Sequence, residues 1–293
     1  MKIHPIILAG SEFEAPVEKL AERSMLVLPI RDGLTLIDLW GELIFDAMSV
    51  GRRISLLFNS LSGFQVMECL SGDSRFERHV DPRSNRGTAG VIADHWKELP
   101  AENRDVDYIV VIDRSTCPPH TLERFSVAIS SGADVVIGVS ELDRLAGIIA
   151  IKPVILDFVP EIGYFDLKEQ AFQAAFNAGL KVIAASLIPR ALRLNTIKGW
   201  IDSVRFHAFH SSDEDSRRII RGSCIDPDAD VRNAAIIDSV VMKDVLIHDD
   251  VVVARSIICE GVEIPAGARV VDSVVNRESK LQSRRFLKEV RST

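Results

Sequence analysis

An α/β domain with a mostly parallel sheet, followed by a short parallel β-helix of about three turns, is the architecture this sequence predicts. Three observations carry the prediction. Over residues 1–208, short β-branched runs alternate with stretches whose apolar residues fall at helical spacing. Over 224–275, Ser239-Val240-Val241, Ser256-Ile257-Ile258 and Ser273-Val274-Val275 recur 17 residues apart. A chain of 293 residues with 47% hydrophobic content is long and apolar enough for two domains. The expected divisions are 1–208 for the α/β domain, 209–222 for a linker, 223–276 for the β-helix and 277–293 for a helical tail.

In chain order, Ile3–Leu8 is an apolar run closed by Gly10, as a buried first strand would be. Residues 24–30 (SMLVLPI) form a second short apolar segment, and 35–47 carry apolar residues at helical spacing. Residues 53–59 (RISLLFN) read as a strand. The clearest buried strand is 106–113 (VDYIVVID), β-branched until Asp113. A helix over 121–131, a strand over 134–140, an amphipathic helix over 167–178 stopped by Gly179, and a strand over 181–186 complete the alternation. Such alternation gives a sheet covered on both faces, with ligands beyond the carboxyl ends of its strands. Gly10 and Asp113 both fall at such ends.

In the C-terminal stretch the apolar positions Val241, Ile247, Val253, Ile258, Ile264, Val270 and Val275 step by five or six residues. No helix has that period, and two β-hairpins have no reason to keep a triple Ser-aliphatic-aliphatic register. A coil with three flat faces keeps it, each face donating one inward aliphatic residue, with stacked turns burying what one turn cannot. The stretch resembles the hexapeptide repeats of left-handed parallel β-helices. His248 invites comparison with β-helix acyltransferases, but about three turns is short for that class, and a corner histidine reads as a solvated loop residue.

Composition narrows the function. A net charge of −7 argues against a nucleic-acid partner, which needs a concentrated basic surface. The four cysteines, Cys69, Cys117, Cys224 and Cys259, form no CxxC pair and suit reduced thiols. No apolar run approaches a signal-peptide core or a membrane span. The expectation is a soluble cytoplasmic protein without a membrane partner. Residues 207–221 (HAFHSSDEDSRRIIR) put His207 and His210 near an acidic run; a solvated linker accounts for them better than a metal site does. Residues 280–290 show helical spacing and read as a cap on the β-helix or a subunit contact, hence an expected homo-oligomer.

The chain resembles the sugar-phosphate nucleotidyltransferases, the NDP-sugar pyrophosphorylases, through pieces that arrive in that family's order. These are Ile6-Ile7-Leu8-Ala9-Gly10, Leu28-Pro29-Ile30, Arg86-Gly87-Thr88-Ala89-Gly90, Val110-Val111-Ile112-Asp113, Ala146-Gly147-Ile148-Ile149 and Leu194-Asn195-Thr196-Ile197. The resemblance implies a Rossmann-like nucleotidyltransferase domain and the joining of a nucleoside triphosphate to a sugar 1-phosphate. It implies nucleotide contacts at Gly10, Gly87, Thr88, Ala89 and Gly90, a sugar-side contact at Gly147, and Mg2+ held at Asp113 and Asn195, with Asp113 the catalytic candidate.

Against that template the chain is depleted. The signature loop cradles phosphate with glycines, an Arg and a Lys; here those positions carry Ser11, Phe13, Ala15 and Met25. Glu12, Glu14 and Glu18 add negative charge, and a like charge at about 4 Å costs about 4 kcal/mol at an effective dielectric of about 20. Lys19 and Arg23 read as solvated helix residues. The second metal position is the neutral Asn195, which lowers affinity without excluding magnesium. Asp113 reads equally as a carboxylate capping the turn Arg114-Ser115-Thr116. The sugar hairpin is reduced to 141–145 (ELDRL), Lys152-Pro153 falls on the wrong side of Gly147, and Thr88 can serve as N-cap for a helix over 89–97. Loss at several separate parts of one site predicts a catalytically impaired protein. It would act as a sugar-nucleotide-sensing, regulatory or scaffolding subunit, partnered with itself or with an active nucleotidyltransferase. The alternative is a working enzyme with a rearranged site built on Lys19 or Arg23 and Asp113.

Overall fold

The computed structural model describes residues 1–10, 14–21, 23–31, 34–48, 53–58, 66, 70, 73–81, 83, 85–208, 218–220 and 222–277. The predicted tail falls outside them, apart from Arg277, as do Glu12, Cys69 and His210. The chain forms two compact units, one of 1–13 with 36–191 and one of 14–35 with 192–293. These differ from the predicted divisions: 14–35 and 192–208 group with the C-terminal part.

The first unit is built on a seven-stranded sheet. Its strands are β1 (Ile3–Leu8), β2 (Ile54–Phe58), β3 (Phe76–Val80), β4 (Tyr108–Asp113), β5 (Val135–Ser140), β6 (Leu145–Ile151) and β7 (Val182–Ile188), in the order β3-β2-β1-β4-β6-β5-β7. All pairings are parallel except those of β6, which runs against both β4 and β5. β1, β2 and β4 are buried along nearly their whole length, as expected where both faces are covered. The covering helices include α1 (Leu36–Ala47), α2 (Gly87–Glu98), α3 (Glu123–Ser130) and α4 (Phe172–Asn177), the last entered through a π-helical turn at Leu167–Ala171. Ile6, Ile92, Ile109, Val111, Ile151 and Leu167 share one core cluster. The fully buried Trp40 on α1 donates its indole N–H to Thr116 O at 3.0 Å, which satisfies the ring's polar atom inside the core.

β3 and β6 were not anticipated. β6 follows β5 through a tight turn in which Ser140 N donates to Arg144 O at 2.7 Å and Asp143 takes φ 55. That turn is what remains at 141–145, in agreement with the short sequence there. Gly147 in β6 has φ +77, and a Cβ there would lie 2.3 Å from Thr116 Cβ. Close approach of the turn after β4 therefore explains this glycine without a sugar.

In the second unit, α5 (Ile197–Ala208) buries Trp200, whose indole N–H donates to Pro29 O at 2.8 Å. Pro29–Arg31 and Leu34–Thr35 form a two-stranded ribbon. His207, read from sequence as part of a linker, is buried on α5. Arg218–Ile220, also assigned to the linker, pairs antiparallel with Ser223–Ile225.

The β-helix has the predicted faces. Ser223–Ile225, Val240–Val241, Ile257–Ile258 and Val274–Val275 stack in parallel on one face, Ala235–Ile237, Val252–Ala254 and Arg269–Val271 on the second, and Leu246–Ile247 with Glu263–Ile264 on the third. All seven predicted inward residues are at most 1% exposed. The recurring serine is a hydrogen-bond ladder. Ser223 Oγ accepts from Ser239 N, Ser239 Oγ from Ser256 N and Ser256 Oγ from Ser273 N, each at 3.1 Å. Each of the last three serines returns its own proton to the carbonyl two residues back. Replacing the fully buried Ser256 by alanine leaves the Ser273 N–H without its acceptor. The expected loss is about 1–3 kcal/mol in a denaturant titration; a change within error would mean that the ladder contributes no net stability.

Candidate functional site

The predicted site residues of the first unit lie where β1 and β4 end and where α2 begins. β1 ends at Leu8, and the next two N–H groups, of Ala9 and Gly10, both donate to Leu57 O at 2.8 and 2.9 Å. Gly10 therefore spends its backbone donor inside the sheet. β4 ends at Asp113, whose Oδ1 accepts from Ser115 N at 2.9 Å and from Ser115 Oγ at 2.7 Å. Asp113 does cap the turn it introduces. Its other oxygen, Oδ2, stands 3.9 Å from Lys168 Nζ, with both side chains partly exposed.

The Arg86–Gly90 segment is closed by the chain at 160–168. Gly87 takes φ +70, and a Cβ on it would meet Phe165 O at 2.6 Å. Phe165 N donates to Arg86 O at 2.9 Å, and Phe165 O accepts from Ala89 N and Gly90 N at 3.1 and 3.2 Å. Two of the donors that a base or phosphate would use at this helix start, Ala89 N–H and Gly90 N–H, are thus already bonded internally. Thr88 is not an N-cap. It lies inside α2, donates to Asp166 Oδ2 at 2.9 Å and accepts from Leu167 N at 2.9 Å.

α2 has no side-chain cap at its start, and Asp166 caps a different element, the helical turn Leu167–Ala171. Its Oδ1 accepts from Lys168 N and Glu169 N at 2.8 and 3.0 Å. Burial pushes its carboxyl up, but the Glu169 N–H, the Thr88 hydroxyl, the Lys168 N–H and the Lys168 charge together hold it below the ordinary carboxylate value. The structure thereby links Thr88 to Asp113 through Asp166 and Lys168, two residues sequence reasoning missed. A signal was present: Asp166-Leu167-Lys168-Glu169 ahead of an apolar run has the form of a helix start, an Asp cap with Glu three residues on.

Three comparisons bear on this geometry. Residues 207–286 match the family model described as GlmU-like, C-terminal hexapeptide. The chain is similar to the crystal structure of apo UDP-glucose pyrophosphorylase, with 12% identity and a TM-score of 0.50, over 71% of this chain and 98% of that one. No curated protein sequence matches the chain. The chain shares its fold with that pyrophosphorylase, and its C-terminal part matches the hexapeptide family. At that identity the likeness concerns the fold, and the hexapeptide match makes the β-helix left-handed.

Several features implied by the resemblance change once placed. Met25, at the family's Lys position, is 2% exposed in the second unit. Glu18 does not face an anion pocket: it is buried, and its two oxygens accept from Ala15 N and Met25 N, both at 2.9 Å. Lys19 and Arg23 are exposed, as expected of solvated residues. Lys152 pairs with Asp134 at 2.8 Å and opens a 3-10 helix at Pro153–Phe158, again as expected. His248 sits at a β-helix corner, 2.7 Å from Glu263 Oε1 and 3.1 Å from Arg232 Nη1. Burial pushes the Cys259 thiol up to about 11, which keeps it protonated at neutral pH.

The implied magnesium does not fit what is present. Asp113 offers one carboxylate, with one oxygen engaged by Ser115 and the other fronted by an ammonium. Its suggested partner Asn195 contributes only a neutral amide oxygen. Among the described residues no group of three His, Cys, Asp or Glu is arranged to hold a metal ion, and no helix is long and apolar enough to cross a membrane.

Proposed function

We propose that this chain is a catalytically impaired nucleotidyltransferase-like protein, serving as a regulatory or scaffolding subunit that senses a sugar nucleotide. One observation carries the reading: the backbone donors at Gly10, Ala89 and Gly90 are spent within the fold. Phosphoryl transfer between two anions rests on positioning and charge neutralisation by free donors, cations and metal. A site whose donors face its own carbonyls, and whose carboxylate faces a lysine, supplies little of either. Weak recognition of a sugar nucleotide needs fewer charges neutralised than turnover does. Lys168, 36% exposed along its side chain, is available to a phosphate oxygen. A partner would be a second copy of this chain or an active nucleotidyltransferase.

Pyrophosphate release from a panel of nucleoside triphosphates and sugar 1-phosphates with magnesium is expected to stay at background. Turnover abolished by Asp113→Ala would sink the proposal and favour the working enzyme. In a thermal-shift screen, a saturable sugar-nucleotide shift that Lys168→Ala reduces is the result expected of a sensor; no shift would leave scaffolding alone.

A further inference from the structure

Asp113 and Lys168 are brought together by a clamp between α2 and the segment that follows residue 160. Lys168 N donates to Asp166 Oδ1 at 2.8 Å, and Asp166 Oδ2 accepts from the Thr88 hydroxyl at 2.9 Å. Leu167 N donates back to Thr88 Oγ at 2.9 Å, so the helical turn is tied to α2 twice. The Lys168 ammonium thereby comes to 3.9 Å from Asp113 Oδ2, at the carboxyl end of β4. Asp113 Oδ1 accepts from Ser115 N and Ser115 Oγ. Asp166, the carboxylate on the same segment, spends its oxygens on Lys168 N, Glu169 N and Thr88.

A lysine ammonium is a compact point charge. Here it fronts the oxygen of Asp113 that a metal ion would take, and it carries the same sign. A divalent ion bound to Oδ2 at about 2.1 Å would lie at most about 6 Å from Lys168 Nζ, inside the screening length of about 8 Å, so the two cations repel. We infer that Lys168 is a tethered cation standing in the place of a divalent one, so that this site offers a ligand's phosphate an ammonium and turns the metal away. The misfit of magnesium then has a second cause beside the neutral Asn195: its place at Asp113 is taken. The inference deepens the function proposed above and rests on it for the ligand, a sugar nucleotide, which would bind here without magnesium.

The test follows the Ser115 amide, which donates to Asp113 Oδ1, by NMR as Mn2+ alone is added to the full chain. Manganese broadens nearby resonances, so even weak binding is read at a known place. Lys168→Ala is expected to lose the Ser115 signal at a Mn2+ concentration at least about tenfold below that needed in the wild type. Lys168→Arg keeps the charge and is expected to behave as the wild type. Adding Asp113→Asn to Lys168→Ala is expected to restore the signal, and circular dichroism verifies that each variant is folded. Equal broadening, or none, in the wild type and Lys168→Ala would overturn the inference. So would a gain in Lys168→Arg as large as in Lys168→Ala, a gain that survives Asp113→Asn, or a sugar-nucleotide thermal shift that EDTA abolishes. The manganese titrations contain no nucleotide, so their failure is distinct from failure of the sensor reading, which an absent sugar-nucleotide shift decides.

Discussion

Replacing Arg86 by alanine is expected to destabilise the protein by about 3–5 kcal/mol, read as a drop in urea midpoint with little change in slope. Arg86 is 4% exposed and forms a two-pronged pair with Asp94, Nε to Oδ2 at 2.8 Å and Nη2 to Oδ1 at 3.1 Å. The same guanidinium donates to Gly163 O at 2.6 Å and to Pro160 O at 3.0 Å. Truncation leaves a carboxylate that is 6% exposed with the longer, half-exposed contact from Arg83 Nη1 at 3.5 Å in place of its two-pronged partner, and removes a donor from two carbonyls of the 160–165 segment. Both losses are of the costly kind, a buried group deprived of its partner. Removing both charges together, as Arg86→Met with Asp94→Leu, is expected to recover much of the loss, because the desolvation cost goes with the pair. A single-variant cost below about 1 kcal/mol would mean that the pair behaves as a solvated surface bridge. The sequence reading placed this arginine at the head of the segment to which it gave nucleotide contacts. In the structure it is a fastener, holding the segment whose Phe165 carbonyl takes the Ala89 and Gly90 donors.

What could be read from the sequence follows from where each pattern originates. The β-helix was legible because its period is imposed twice, by inward aliphatics and by a serine ladder that needs the same residue at every turn. Strands β1, β2, β4, β5 and β7 were legible as short β-branched runs between polar stretches. β3 was not, because an edge strand of sequence FERHV alternates too polar a face to stand out. β6 was not, because Leu145–Ile151 was weighed only as a site motif; its antiparallel direction rests on a turn whose Asp143 takes a positive φ that no spacing reveals. At the site, the identity of Asp113 was legible and its partner was not. Lys168 lies 55 positions away, and only the packing of the 160–168 segment against α2 brings it near. Glu18 shows the same limit: a carboxylate counted as repulsive in sequence is spent on two backbone N–H groups in the fold.

Acid is expected to weaken the fold before most carboxylates titrate, through a buried histidine cluster. His95 on α2 lies with Nε2 3.3 Å from His4 Nε2 on β1, and its ring centroid is 4.3 Å from that of His79 on β3. Burial first, then His79 and His4, push His95 down to about 3, with Glu77 opposing them. Glu77 in turn is held below its ordinary value, mainly by His79, which stands 3.2 Å away, with Ser55 Oγ donating to the same oxygen at 3.1 Å. The folded His95 stays neutral while the unfolded one takes a proton near pH 6.5. The unfolded state therefore binds more protons across the window from about 6.5 down to about 3, and stability falls as pH falls. At pH 5 the gap amounts to about 2 kcal/mol, from about 1.4 kcal/mol per pH unit below 6.5. Urea titrations at pH 7 and pH 5 measure the slope directly. His95→Gln, which cannot be protonated, is expected to lower stability at pH 7 yet lose less of it on acidification than the wild type. Equal slopes for the two would place the acid sensitivity elsewhere in the chain.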